Sequence, residues 1–467
     1  MSESHADLVI IGGGPAGYGA ALYGASAGLS VILVERDKVG GTCLHRGCIP
    51  AKELLETASI TRTVKEAGQF GVLTSEPGLD FSITQDRKQS VIDQLTAGVE
   101  GLLKRRNCST LAGTGRLGAG RKVTVTHDDG SESVVTGERV LLCTGSVPRT
   151  LPGFEVDGTI VMTSDEVLSM SAIPPRAAVI GGGAIGCEFA SMMADLGSQV
   201  TILEGMEQIV PGVDPDISKA LTRAFKKRNI DVVTGVKVLG HTPGASGTTV
   251  HIDGADDLEV DAVVVSIGRR PLSDHLGLDG TDVLVDERGF VMVDKFCRTA
   301  EPGVYAFGDL INTPQLAHVG FAEAILVVKD FLGEAPMPVD YAKVPWAIYC
   351  HPEVAFAGMT EQQARDAGIN VVVSKHRFTG NSRAMIVGQT DGLVKIIAEE
   401  LPDGTGGRIL GVHMMGPWVT EQLGQGYLAV NWEATVEETA AFIQPHPTLS
   451  ELFGESVLAL TGRSLHG

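Results

Sequence analysis

The sequence predicts an α/β protein in which two doubly wound parallel-sheet folds follow one another and an α+β unit closes the chain. Three observations predict it. A strand–glycine turn–helix–strand–acid pattern opens the chain at Asp7. The same pattern returns at Ala178. From Val344 onward, short alternating β-runs with helical stretches between them replace the long apolar strands.

The first pattern starts with the β-rich run Asp7-Leu8-Val9-Ile10-Ile11, which enters Gly12-Gly13-Gly14-Pro15-Ala16-Gly17. An Ala/Gly-rich helix follows, then Ser30-Val31-Ile32-Leu33-Val34 and Glu35. Glycines at such a turn allow close approach to a pyrophosphate seated on the helix N-terminus. An acid at the end of the second strand accepts hydrogen bonds from ribose hydroxyls. The motif alone is weak; placed between strand and helix, with the acid in position, it is specific for a Rossmann-like dinucleotide fold.

A few residues after Glu35 stands Gly40-Gly41-Thr42-Cys43-Leu44-His45-Arg46-Gly47-Cys48-Ile49-Pro50-Ala51-Lys52. Positions i and i+5 do not align on a regular helix, so a turn at a helix start must bring the two sulfurs together. A metal site would want a second Cys/His pair at ligand spacing, and the sequence offers none. A redox-cycling disulfide fits better, with one thiolate attacking an outside sulfur and the other resolving the mixed disulfide. A helix N-terminus beside the pair is expected to lower a thiol pKa.

Residues 52–110 read as amphipathic helices, and Lys122–Val135 as a hairpin about Asp129-Gly130. Val140-Leu141-Leu142-Cys143 is a buried strand ending at Thr144-Gly145-Ser146, a small-residue turn suited to packing on a cofactor. The second pattern runs from Ala178-Val179-Ile180 through Gly181-Gly182-Gly183-Ala184-Ile185-Gly186 to Gln199-Val200-Thr201-Ile202-Leu203 and Glu204. Gly181, Gly183, Gly186 and Glu204 each stand 169 positions after Gly12, Gly14, Gly17 and Glu35. Two dinucleotide folds imply two dinucleotides, with FAD in the fold that carries the cysteines and a nicotinamide cofactor in the other. Glu204 favours NAD, because a carboxylate repels a 2′-phosphate and Gly205-Met206-Glu207 supplies no arginine. The second fold closes at Ala262–Ile267, Gly268 and Pro271.

Val304–Phe307 runs into Gly308-Asp309, and a helix is expected after Leu316-Ala317-His318. Asp309 reads as a ligand to the ribityl or phosphate region of the flavin. Near the end, His446 and Glu451 are spaced for a His–carboxylate pair in which the acid orients the ring. The expected boundaries are 1–150 for the FAD fold, 151–271 for the NAD fold, 272–343 for a central segment completing the FAD site, and 344–467 for the C-terminal unit.

Composition narrows the partners. Among 467 residues, 43% are hydrophobic and 20% charged, and the net charge of −20 disfavours nucleic acid or an anionic membrane as partner. The polar, acidic start resembles no secretory signal, and no apolar run reaches membrane-spanning length. The other five of the seven cysteines are scattered singly and read as reduced, buried residues of a cytoplasmic protein.

Taken together, these motifs resemble the pyridine-nucleotide disulfide oxidoreductases over essentially the whole chain. Leu316-Ala317-His318 and His446-Pro447-Thr448-Leu449-Ser450-Glu451 are most similar to the branch that oxidises dihydrolipoamide with NAD+. The resemblance implies a homodimer joined by the C-terminal unit, with His446 serving as base in the partner subunit's site. It implies that Cys43 is the outer, interchange thiol and Cys48 the inner one beside the flavin. It also implies a Lys52–Glu188 ion pair near the flavin and nicotinamide, and a dihydrolipoamide substrate, free or on the lipoyl domain of a 2-oxoacid dehydrogenase complex. The alternative within the family is an NAD(P)H-dependent reductase of another small disulfide of the glutathione or mycothione kind. Gln444-Pro445, His45-Arg46 and Cys350 depart from the branch's usual residues.

Overall fold

Apolar β-branched runs form the strands that the structure buries on both faces. The computed structural model describes residues 3–274 and 276–466. Two compact units divide the chain. The first gathers Met1–Leu54, Asp80–Arg149 and Gly268–Tyr341; the second gathers Leu55–Leu79, Thr150–Ile267 and Ala342–Gly467.

In the first unit, strands Ser109–Ala112, Val31–Glu35, Glu3–Ile11 and Glu132–Leu142 lie side by side in parallel. Val304–Ala306 also pairs in parallel with Glu132–Leu142. Lys122–Thr126 and Thr114–Gly118 extend the sheet antiparallel, and the expected hairpin turns at Gly130 (φ 78°). Leu8, Val9, Ile10, Leu33, Val34, Val140, Leu141 and Leu142 are all buried, as strands covered on both faces require. The helix Pro15–Ser26, with Pro15 in its first turn, lies against this core.

The stretch expected to be helical over 52–110 forms two helices, Cys48–Glu66 and Phe81–Arg105. A 3-10 turn over Ala67–Phe70 ends at Gly71 (φ 77°), and residues 72–80, with Pro77 and Gly78 among them, form no regular element. Asp80 then caps the second helix through the amides of Ser82 and Ile83.

The second unit repeats the parallel architecture. Ile230–Thr234, Gln199–Glu204, Arg176–Ile180, Ala262–Val265 and Val161–Met162 form its five-stranded sheet. Val238–Pro243, Thr248–Ile252 and Leu258–Val260 make a small antiparallel sheet. Its last segment is the expected α+β unit. There an antiparallel sheet orders Trp346–Ile348, Glu353–Gly358, Gly406–Gly416, Leu393–Glu400 and Val371–Arg377. Helices Val419–Asn431 and Glu451–Ala459 pack on it. Among the described residues, no helix is long and apolar enough to cross a membrane.

Candidate active site

The two glycine turns are built alike in each unit. Gly12 N donates to Val34 O at 2.9 Å, and Gly181 N donates to Leu203 O at 2.8 Å. Gly13 N donates to Glu35 Oε2 at 2.6 Å, and Gly182 N donates to Glu204 Oε2 at 2.6 Å. The second oxygen of each acid accepts the amide two residues on, Asp37 N in one fold and Met206 N in the other, both at 2.8 Å. Burial pushes the Glu35 carboxyl up, and the Gly13 amide opposes the shift. A Cβ on Gly17 would stand 1.8 Å from Gly12 O, and one on Gly186 would stand 1.9 Å from Gly181 O, so both helices can approach their strands only at a glycine. A Cβ on Gly183 would meet nothing within 4 Å, and one on Gly14 only Gly41 Cα at 4.0 Å. The helix N-termini therefore present open backbone, as a pyrophosphate cradle requires.

The cysteines occupy two consecutive helices. Cys43 lies in Gly41–Arg46, Gly47 breaks the helix with φ −151° and ψ −114°, and Cys48 opens Cys48–Glu66. Glycine is needed where this segment meets the first turn: a Cβ on Gly41 (φ +57°) would stand 2.6 Å from Gly14 Cα, and Gly40 N donates to Gly13 O at 2.8 Å. Both sulfurs stand as thiols, and the pair shares a hydrogen bond. That bond first, and burial second, push the Cys43 thiol well above the ordinary thiol range, while Lys52, one turn along the second helix, opposes them. The expected helix-terminus lowering of a thiol pKa is thus not met at Cys43. When two neighbouring thiols share one site, the proton stays on one of them. Tyr18 packs beside the pair and against Phe321, its hydroxyl pushed up to about 12 by burial and by the cysteines. His45 and Arg46 bind the loop back to the first fold, His45 through Val39 O at 2.8 Å and Arg46 through Asp37.

The small-residue turn is held by the chain that follows the second fold. Thr144 Oγ1 donates to Leu272 O at 2.7 Å, and Gly145 (φ 73°) accepts Leu272 N at 2.8 Å. Ser146–Pro148 pairs antiparallel with Arg269–Pro271, and Gly268 (φ 97°) accepts Arg149 N at 3.0 Å. Ser146 Oγ donates to Asp309 Oδ2 at 2.5 Å. Arg269 Nε donates to Ser146 Oγ at 2.7 Å and lies 4.0 Å from Asp309 Oδ2. Asp309 Oδ1 meets no protein donor among the described residues. Burial pushes this carboxyl up, with Ser146 and Arg269 opposing. Gly308 (φ 69°) starts the Asp309 turn, and Ala317 is the first residue of the helix Ala317–Phe331.

In the second unit, Glu188 is buried on the helix Ala184–Asp195, and its Oε1 accepts Tyr349 N at 2.9 Å. His446 Nδ1 lies 2.9 Å from Glu451 Oε1, and Glu451 Oε2 accepts Thr448 N at 2.8 Å. A carboxylate only accepts, so Nδ1 is the donor and Nε2 is left to take a proton. The imidazole side chain is 73% exposed, and its acid is 23% exposed.

The structure brings Gly12, Gly14, Gly17, Glu35, Cys43, Cys48 and Lys52 onto one segment of the first unit, and Ser146 onto Asp309. It brings His446 onto Glu451 in the second. Reading the sequence alone missed Arg269, which holds Ser146 and Asp309, and Glu323, which holds the Gly308 amide. Arg269 gave no signal beyond a Gly-Arg-Arg-Pro crossover. Glu323 did give one: it stands on the apolar face of its helix with Val319, Gly320, Ala324 and Val327.

Residues 6–324 match the family described as pyridine nucleotide-disulphide oxidoreductase, and residues 344–457 match its dimerisation domain. A dihydrolipoyl dehydrogenase of Bacillus subtilis is 43% identical over 98% of this chain and 99% of its own. A dihydrolipoyl dehydrogenase of Zymomonas mobilis is 38% identical over 99% of both chains. The solved structure of LpdA from Mycobacterium tuberculosis superposes with a TM-score of 0.91 at 25% identity, covering 98% of this chain and 99% of that one. With both family regions matched and relatives aligned end to end, the chain belongs to the pyridine nucleotide-disulphide oxidoreductases.

Proposed function

We propose that this chain is an FAD-containing oxidoreductase that oxidises a dithiol of the dihydrolipoamide type to the disulfide and reduces NAD+. The observation that carries the reading is the hydrogen-bonded Cys43–Cys48 pair built against the first glycine turn. The first fold fits FAD through the open backbone at Gly14, the Glu35 carboxylate and the second oxygen of Asp309. The second fold fits NAD through Gly183 and Glu204. Segments 1–150 and 272–343 serve the flavin, 151–271 the nicotinamide and 344–467 the subunit contact.

Bound FAD would accept the electron pair from the enzyme dithiol and deliver it as hydride to NAD+. The chain's own residues do the sulfur chemistry. His446 Nε2 takes the proton from a substrate thiol, while Glu451 holds Nδ1 and supports the positive ring. The substrate sulfur attacks Cys43 of the oxidised pair, and Cys48 leaves as thiolate at the first turn of its helix. The second substrate thiol then displaces Cys43, leaving the enzyme dithiol and the substrate disulfide. For each dithiol oxidised, one NADH and one proton leave.

The exposed imidazole and its exposed apolar neighbours Phe442 and Ile443 support a homodimer in which His446 serves the partner subunit's cysteines. A lipoyl group would arrive free or on the lipoyl domain of a 2-oxoacid dehydrogenase complex, in the cytoplasm.

The test is NAD+ reduction by dihydrolipoamide with FAD-loaded protein, run beside NADH or NADPH with glutathione and mycothiol disulfides. Rapid NAD+ reduction with slow turnover of the other disulfides is the expected result. Silence with dihydrolipoamide and turnover of another disulfide would move the chain to the reductase branch.

A further inference from the structure

Glu323 is completely buried, seven residues into the helix Ala317–Phe331, and its carboxylate gathers donors from three separate segments. Gly308 N donates to Oε2 at 2.6 Å; Tyr341 Oη and Thr313 Oγ1 donate to Oε1 at 2.8 and 3.0 Å. A carboxylate taken out of water is costly unless its lone pairs are filled, and burial pushes this one up to about 7. Among the described residues, its hydrogen-bond partners include no arginine or lysine. The shortest of its bonds goes to the amide that opens the Gly308–Leu310 turn.

That turn is otherwise tightly placed. A Cβ on Gly308 would stand 2.9 Å from Ala16 Cβ, and one on Gly320 would stand 3.2 Å from the same atom. The helix of the first glycine fingerprint, the Gly308 turn and the Glu323 helix thus meet at one point. One residue beyond Gly308, Asp309 keeps one oxygen on Ser146 and the other, among the described residues, clear of protein donors. Moving the Gly308 amide would swing Asp309 away from Ser146.

We propose that Glu323 is a positioning residue for the flavin site: it fixes the Gly308 amide and so aims Asp309 at the cofactor. The inference rests on the reading of Asp309 as a flavin contact. Glu323 itself acts through the Gly308 amide.

The experiment titrates apoprotein with FAD, followed by flavin fluorescence, in wild type, Glu323→Asp, Glu323→Gln, Asp309→Ala and Asp309→Ala/Glu323→Asp. Thermal unfolding of each apoprotein runs alongside. Aspartate keeps the charge but falls a methylene short of Gly308, so E323D should weaken FAD binding about tenfold. Glutamine keeps the reach and an accepting oxygen, so E323Q should stay within about threefold of wild type. With Asp309 already removed, adding E323D should cost less than about threefold more. Independent, multiplying losses would overturn the inference, as would an E323D that lowers the unfolding temperature with FAD affinity unchanged. If D309A alone leaves FAD binding intact, the reading of Asp309 fails, and the inference fails with it. Should E323D not fold, hydrogen exchange at the Gly308 amide decides: rapid exchange in wild type or E323Q would overturn it.

Discussion

His446 and Glu451 meet because the chain between them is short and the acid opens a helix. Glu451 is the first residue of Glu451–Ala459, and its second oxygen takes the amide of Thr448 from the connecting turn. The acid therefore reaches the imidazole from a fixed base, and the ring is largely exposed. Replacing His446 by Gln should slow dithiol oxidation by about 10²–10⁴-fold while leaving reduction of the bound flavin by NADH far less affected. Rapid-mixing measurements of the two half-reactions check this, and equal slowing of both would make His446 a structural residue. This pair was legible in the sequence because both residues lie within six positions. So were the glycines and acids of the two turns, since a dinucleotide fold demands them at fixed spacing. Arg269 was not, since it acts on Ser146, 123 positions earlier; Glu323 showed only as an acid on an apolar helix face, and its partner Gly308 lies across a loop.

At the scale of elements, the placement of strands and helices along the chain follows from patterns of apolar residues, while the joints between elements do not. The second unit contains a joint of that kind. Lys395, on the strand Leu393–Glu400, is 2% exposed and reaches Asp214, Asp216 and Glu361, each at 2.8 Å. Asp214 N donates to His413 Nδ1 at 3.3 Å, and His413 Nε2 lies 3.0 Å from Met359 O. In sequence, Lys395 and His413 are polar residues inside strands and give no sign of a shared cluster. Burial pushes the His413 ring down to about 4 from 6.5. The unfolded chain therefore binds a proton there first as pH falls, and the contribution to stability is lost between about pH 6.5 and 4. Thermal unfolding of wild type and His413→Gln across that range should show a shallower acid loss in the variant; parallel curves would remove His413 as the cause. The gap between Cys48–Glu66 and Phe81–Arg105 shows the same limit in another way: periodicity marked helices over 52–110, but Gly71 ends the turn after the first and Asp80 caps the start of the second.

For the molecule as a whole, the sequence repeats one fold and attaches a single redox device to its first copy. The repeat is exact down to hydrogen bonds: the amide that each acid takes two residues on, Asp37 or Met206, keeps the 169-residue offset of the glycines. The other cysteines, Cys108, Cys143, Cys187, Cys297 and Cys350, are all buried, which leaves Cys43 and Cys48 as the pair open to chemistry. Sequence reasoning reached the architecture because strands and glycine turns are local patterns. It did not reach the state of the Cys43 thiol, which depends on burial and on a neighbouring sulfur. The central claim is that this pair, and no other, cycles between dithiol and disulfide under control of the nicotinamide nucleotide. The most direct measurement is the thiol count of FAD-loaded protein, alkylated under denaturing conditions before and after anaerobic reduction with NADH and mapped by mass spectrometry. The account predicts five alkylated cysteines in the oxidised protein and all seven after NADH, with the two gained at Cys43 and Cys48. Seven before NADH, or a gain mapped to any other cysteine, would contradict it.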